Sequence, residues 1–217
     1  MPEKLEFAPR VRSTSHVRDA SLIIIATEGT KTEKRYFEDL SYVAWYQNSN
    51  VLVKVLDHLQ ADSNPEDVLA MLDGFRNQYH LHAGDSLWLV IDVDRWGKKL
   101  AEIARLCLQK KYELCVSNPC FELWLLLHVT SLNQYTAEVK SEFRINAKDG
   151  AKRTRLGREL VTILGRYNKS HPDASDFLPH LSTAIEQAQA LDINPADRWP
   201  NDLGSRVYRL VTQIIDR

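Results

Sequence analysis

The chain has 217 residues, enough for one domain with a full core or one domain with a helical addition. At 44% hydrophobic and 26% charged it matches an ordinary globular composition and excludes a disordered or lipid-embedded chain. A net charge of -1 excludes a strongly basic body, though not a local basic patch.

Residues 1–20 are polar and basic and read as an arm without an apolar leader. LIIIAT (Leu22–Thr27) is a strand buried on both faces. A helix should run from Thr32 to Tyr46, with Tyr36, Phe37, Leu40 and Val43 on its apolar side. VLVKVL (Val51–Leu56) is a second strand. SNPEDVLAMLDGFRNQY carries helix-start chemistry, with Ser63 or Asn64 as cap and Pro65 in the first turn. SLWLVIDVD is a third strand, KKLAEIARLCLQK a helix, and YELCVS (Tyr112–Ser117) a fourth strand. In SNPCFELWLLLHV, Ser117 and Asn118 can turn the chain and cap a further helix, with Pro119 in its first turn. Strands alternating with helices predict an α/β fold with a parallel, doubly wound sheet. Beyond Ser131 the pattern is helical with loops and no convincing strand. The expected organisation is an arm (1–20), an α/β core (21–130) and a helical C-terminal section packed on it (131–217).

Cys107, Cys115 and Cys120 sit in apolar segments without zinc-ligand spacing, so buried thiols in a reducing compartment are expected. FELWLLLHV, the longest apolar run, is too short to cross a bilayer. A cytoplasmic protein with no membrane association is the expectation.

Ligands of open parallel sheets bind beyond the carboxyl ends of the strands. Three such ends carry acid here: Glu28, the Asp92/Asp94 pair of IDVD, and Glu122 just inside the helix after the fourth strand. Asp92 and Asp94 are two apart on a strand and share a side. Carboxylates gathered this closely repel one another unless a cation lies among them. Mg²⁺ or Mn²⁺ suits such oxygen ligands and leaves room for a phosphate. Gly29 clears space where the backbone bends or is closely approached, and Lys31 and Arg35 are candidate phosphate contacts at a helix head. The basic stretch AKRTRLGR, with Lys148 and Lys152, could face a nucleic-acid backbone or be a wet helix face. His128 reads as a packed core residue, and Trp96 as a lid or a stacking platform.

EGTKTEKRYF, IDVDRWG, SNPCFELWLLLH and the closing INPADRWPNDLGSRVYRLV together resemble the RloB/AbiLii family, whose core is similar to a Toprim domain. The resemblance implies a small, mainly parallel sheet flanked by helices, with an acidic edge that binds Mg²⁺. It implies that Glu28, Asp92, Asp94 and Glu122 are metal-holding and catalytic, and that a late basic residue, Lys152 or Lys148, assists. It also implies a role in anti-phage defence, beside a partner ATPase similar to the AbiLi/RloA type. The expected activity is metal-dependent phosphodiester cleavage of DNA or RNA. The alternative is a non-catalytic nucleic-acid-sensing or regulatory subunit, and a homodimer is left open. A dehalogenase-like phosphatase is disfavoured because a full βαβ pair precedes Asp92. A Rossmann site is disfavoured because no G-x-G-x-x-G follows the first strand.

Overall fold

A computed structural model describes residues 5–6, 20–42, 48–58, 64–93, 97–150 and 153–215. Asp94, Trp96 and Lys152 lie outside the described residues. The elements in chain order begin with β1 (Leu5–Glu6), β2 (Ser21–Thr27), α1 (Thr32–Tyr42), β3 (Val51–Val55), α2 (Pro65–Gln78) and β4 (Tyr79–His80). They continue with β5 (Ser86–Asp92), α3 (Gly97–Lys110), β6 (Glu113–Asn118), α4 (Phe121–Val129) and α5 (Ala137–Ile145). The chain closes with α6 (Arg155–Leu164), α7 (Leu181–Leu191), β7 (Gly204–Ser205) and α8 (Val207–Ile215).

The main sheet has the order β3-β2-β5-β6-β7, parallel except for β7. This mostly parallel sheet flanked by helices, with a helical C-terminal section, is a Toprim-like α/β architecture. Within the arm, β1 forms a separate parallel ladder with β4, Leu5 opposite Tyr79.

β2 is apolar from Leu22 to Ala26 because both its faces are covered. Ile23 and Ile25 pack with α1, α4 and the C-terminal helices, while Leu22, Ile24 and Ala26 pack with α2 and α3. α1 and α2 therefore lie on opposite faces, and the strand order reverses between β2 and β5. The carboxyl ends of those two strands border the crevice such a switch point creates.

Local signals explain several boundaries. Asn64 caps α2 through a reciprocal pair: its side chain accepts from Asp67 N at 3.0 Å, and Asp67 Oδ2 accepts from Asn64 N at 3.4 Å. The head of α4 departs from expectation. Its N-cap is Cys120, without a side-chain cap bond, and Pro119 precedes the helix in a cis peptide with Asn118. Asn118 Nδ2 instead donates to Pro200 O at 2.9 Å, and the Ser117 and Ser205 hydroxyls pair at 2.8 Å. Both groups that were expected to cap the helix hold the β7 region against β6.

β7 itself is the strand not foreseen beyond Ser131. It adds to the sheet edge with Ser205 opposite Ser117. A buried ionic knot fixes its position. Asp192, at the end of α7, accepts from Arg206 Nη2 at 2.9 Å, Arg209 Nη2 at 2.8 Å and the Tyr208 hydroxyl at 2.9 Å. Arg206 also donates to Asp197 O at 2.6 Å and Asn194 O at 3.1 Å, so its guanidinium is well supplied with acceptors.

The basic neighbourhood around α6 is largely neutralised within the fold. Arg155 pairs with Glu142 at 2.8 Å and Glu159 at 2.6 Å, and Arg158 with Asp149 at 2.9 Å. All three cysteines are free and buried, and burial pushes the thiols of Cys107 and Cys115 up to about 12. Among the described residues no helix is long and apolar enough to cross a membrane.

Candidate functional site

β2 and β5 bring the first two acids together. Thr27 is the last paired residue of β2, opposite Val90 of β5. Glu28 N then donates to Val90 O at 2.9 Å, and Glu28 Oε2 accepts from Asp92 N at 3.2 Å. Glu28 and Asp92 are thus neighbours at the switch point. Asp92 is in register with Ser117 of β6, the strand that leads to α4.

Glu122 comes from the first turn of α4, where the helix dipole favours negative charge. Its side chain is 2% exposed. Oε1 is 2.5 Å from Lys169 Nζ, while Oε2 is buried with no hydrogen-bond partner among the described residues. An ionised carboxylate with one oxygen unserved is costly to bury.

A fourth acid, Glu33, was not singled out in the sequence. It lies in the first turn of α1, 6% exposed, and its carboxyl rests against Gly29. A Cβ added to Gly29 would fall 1.7 Å from Glu33 Oε2, so a side chain here would have to displace the Glu33 carboxyl. Burial first, and then the charges of Glu122 and Glu28, push the Glu33 carboxyl up to about 7, against the pull of Lys169.

Lys169 is the described cation at the heart of the group. Its backbone O accepts the Thr32 hydroxyl at the head of α1. Burial alone would lower its ammonium pKa, but Glu122 more than reverses this and raises it. The sequence pointed to Lys148 or Lys152 for such a role; Lys148 is exposed. Tyr167, two residues before Lys169, carries a buried hydroxyl without a partner among the described residues. Cys120 adjoins the acids too. Burial, then Glu122 and Asp92, raise its thiol, which disfavours the thiolate form.

The remaining candidates lie at the margin. Lys31 is exposed, and Arg35 is exposed and pairs with Asp39 at 3.4 Å. Nearby, Asp57, which was not among the candidates, pairs with Lys34 of α1. Arg35 and Tyr42 line a shallow hollow of about 550 Å³. A second, of about 480 Å³, is lined by Arg153, Arg166 and Tyr167, and the two share His171 and Asp173. His128 is core: its ring nitrogens bond Trp124 O at 2.9 Å and the Tyr36 hydroxyl at 3.1 Å, and burial pushes it down to about 3.

Among the described residues no group of three or more His, Cys, Asp and Glu side chains is disposed to hold a metal ion. The donor chemistry nonetheless fits a hard cation: Glu28, Asp92, Glu122 and Glu33 offer only carboxylate oxygens, one of them buried and unserved.

A family model described as RloB-like protein matches residues 23–214. No curated protein and no solved structure gives a significant match. The matched span contains Glu28, Glu33, Asp92, Glu122, Tyr167 and Lys169. Matched from its first core strand to its last helix, the chain belongs to the RloB family.

Proposed function

We propose that the protein is a metal-dependent phosphodiesterase that cuts DNA or RNA in anti-phage defence. One observation carries this reading: the buried Glu122 carboxylate is held by Lys169 on one oxygen and unserved on the other, and its charge acts on Glu33 together with that of Glu28 and on Cys120 together with that of Asp92. Glu28, Asp92 and Glu122 would hold Mg²⁺ or Mn²⁺, with Asp94 as a fourth candidate. Bound there, the ion would polarise the phosphodiester and help position water. Lys169, with its raised pKa, supplies a fixed positive charge for the phosphate. Gly29 keeps the approach to the strand end narrow and free of a side chain. Lys31 and Arg35, both exposed near the head of α1, would meet flanking phosphates. Lys152 stands as a further candidate for the basic role.

The second reading is a nucleic-acid-sensing or regulatory subunit that binds without cutting. A partner ATPase and a homodimer belong to either reading. Cleavage assays on single-stranded DNA, duplex DNA and RNA with Mg²⁺ and Mn²⁺ separate the two. Metal-dependent cutting, lowered at least about 100-fold in folded Glu28→Gln and Asp92→Asn proteins, is expected, since one misplaced or missing catalytic group costs on that order. Intact substrates under all conditions, with and without the partner, would leave only the sensing role.

A further inference from the structure

The segment after α6 is built to aim two side chains. α6 ends at Leu164, and Gly165 takes a left-handed conformation (φ 69°) that turns the chain without a Cβ clash. Two anchors fix the strap of chain beyond it. Asn168 closes a turn, its backbone O accepting from His171 N at 3.0 Å and its Oδ1 from Ser170 N at 3.0 Å. Lys169 O takes the Thr32 hydroxyl.

From this anchored strap, Lys169 reaches Glu122. The ring of Tyr167 walls the hollow that also contains Arg153, Arg166 and His171. Its hydroxyl is buried and unpartnered among the described residues, as is Glu122 Oε2. Burial, then the charges of Glu122 and Glu33, raise the phenol's pKa, so it remains a neutral donor. The acids near it accept hydrogen bonds, yet none takes this one. Burying a hydroxyl without a partner carries its full desolvation cost, and no contact among the described residues recovers it. A ligand with an acceptor oxygen would.

We propose that Tyr167 contacts the substrate, its hydroxyl donating to a non-bridging oxygen of the phosphate bound beside Glu28, Asp92 and Glu122. This rests on the phosphodiesterase reading for the nature of the ligand. The Lys169 side chain, 61% exposed, lies on the same strap two residues further on and can meet the same phosphate.

Tyr167→Phe removes the oxygen and keeps the ring. The full chain is compared with this variant in three measurements: thermal unfolding, anisotropy of labelled thymidine and uridine oligonucleotides with Ca²⁺, and cleavage with Mg²⁺ or Mn²⁺. The expected result is an unchanged or raised Tm, because an unserved polar atom is gone, with oligonucleotide affinity about tenfold weaker, the worth of one hydrogen bond. Equal affinity overturns the inference. So does a Tm lower by several degrees, which would mark the hydroxyl as a structural bond, and so does a wild-type protein that binds neither oligonucleotide. Asp92→Asn is run in parallel for cleavage. If wild type binds but does not cut, the phosphodiesterase reading fails while the anisotropy comparison still decides Tyr167.

Discussion

Glu33 shows most openly the conflict between burial and charge at this site. Its folded carboxyl is raised from 4.5 to about 7, by burial first and then by Glu122 and Glu28. A group raised in the fold contributes stability that is fully present below its unfolded pKa and is lost as pH climbs through the folded value. The native protein should therefore lose stability between pH 4.5 and about 7. At about 1.4 kcal/mol per pH unit, this one group accounts for on the order of 3 kcal/mol. Glu33→Gln keeps the shape and removes the ionisation. Urea unfolding in EDTA at several pH values should show a flatter profile for the variant and greater stability than wild type at pH 8. An identical slope in both proteins would contradict the assignment. The residue scale is also where the sequence was only partly legible. Glu28, Asp92 and Glu122 stood out because each lies at or just beyond a strand end, a position whose chemistry is general. Glu33 was hidden by its ordinary role as an acid in a helix's first turn. Tyr167 and Lys169 sit in GRYNKS, a loop with no periodicity, and only the fold carries them back to α1 and α4.

At the scale of elements, the segment from α7 to α8 shows how a loop can set a site it never touches. Asp192 ends α7, Arg206 follows β7, and the pair is 3% exposed on each side. Their bond places Ser205 against Ser117, and Ser117 pairs with Asp92. Burial would raise the Asp192 carboxyl, but Arg206 and Tyr208 prevail and hold it below its ordinary value. Its stability is thus present above the unfolded pKa and is lost as pH falls through the folded one. Asp192→Ala leaves Arg206 as an uncompensated buried cation and should cost roughly 3–5 kcal/mol. Arg206→Lys should recover little, because an ammonium cannot make the forked contact. Denaturant midpoints would check both, and Asp192→Asn should also lose the destabilisation that wild type shows as pH drops below about 4. A cost near zero for Asp192→Ala would mean that water serves Arg206 in its place. In sequence, INPADRWPNDLG read as a turn-rich loop, correctly, and its composition gave β7 away no more than it did the knot. Two residues are too few for a strand period to show, and the charged partners lie 14 positions apart.

For the whole molecule, the question is whether residues 21–130 form a unit without the helical section. Alternation of strands and helices made the parallel core plain in the sequence, and a boundary near Ser131 followed from the loss of strand pattern. α4 argues against independence across that boundary. Its side chains Phe121, Leu123, Trp124, Leu125, Leu126 and Leu127 are each 0–1% exposed, so the helix is buried around its whole circumference. One side meets β6; the others meet α6, α7 and β7. Such a helix has no wet face to show if residues 131–217 are absent. Uncovering even three large side chains would forfeit on the order of 5–9 kcal/mol, comparable with the entire stability of many domains. It would also strip the site of Lys169 and leave Glu122 buried without its cation. The fragment 1–130 should therefore fail to fold, giving ANS binding and a broad, weak urea response. The full chain should unfold in one transition, coincident by circular dichroism and by fluorescence of Trp88 and Trp124, which lie in the core shared by both sections. A fragment with its own sharp transition, or two separated transitions in the full chain, would instead make the C-terminal section an appended domain. Its loss would then abolish activity through Lys169 alone.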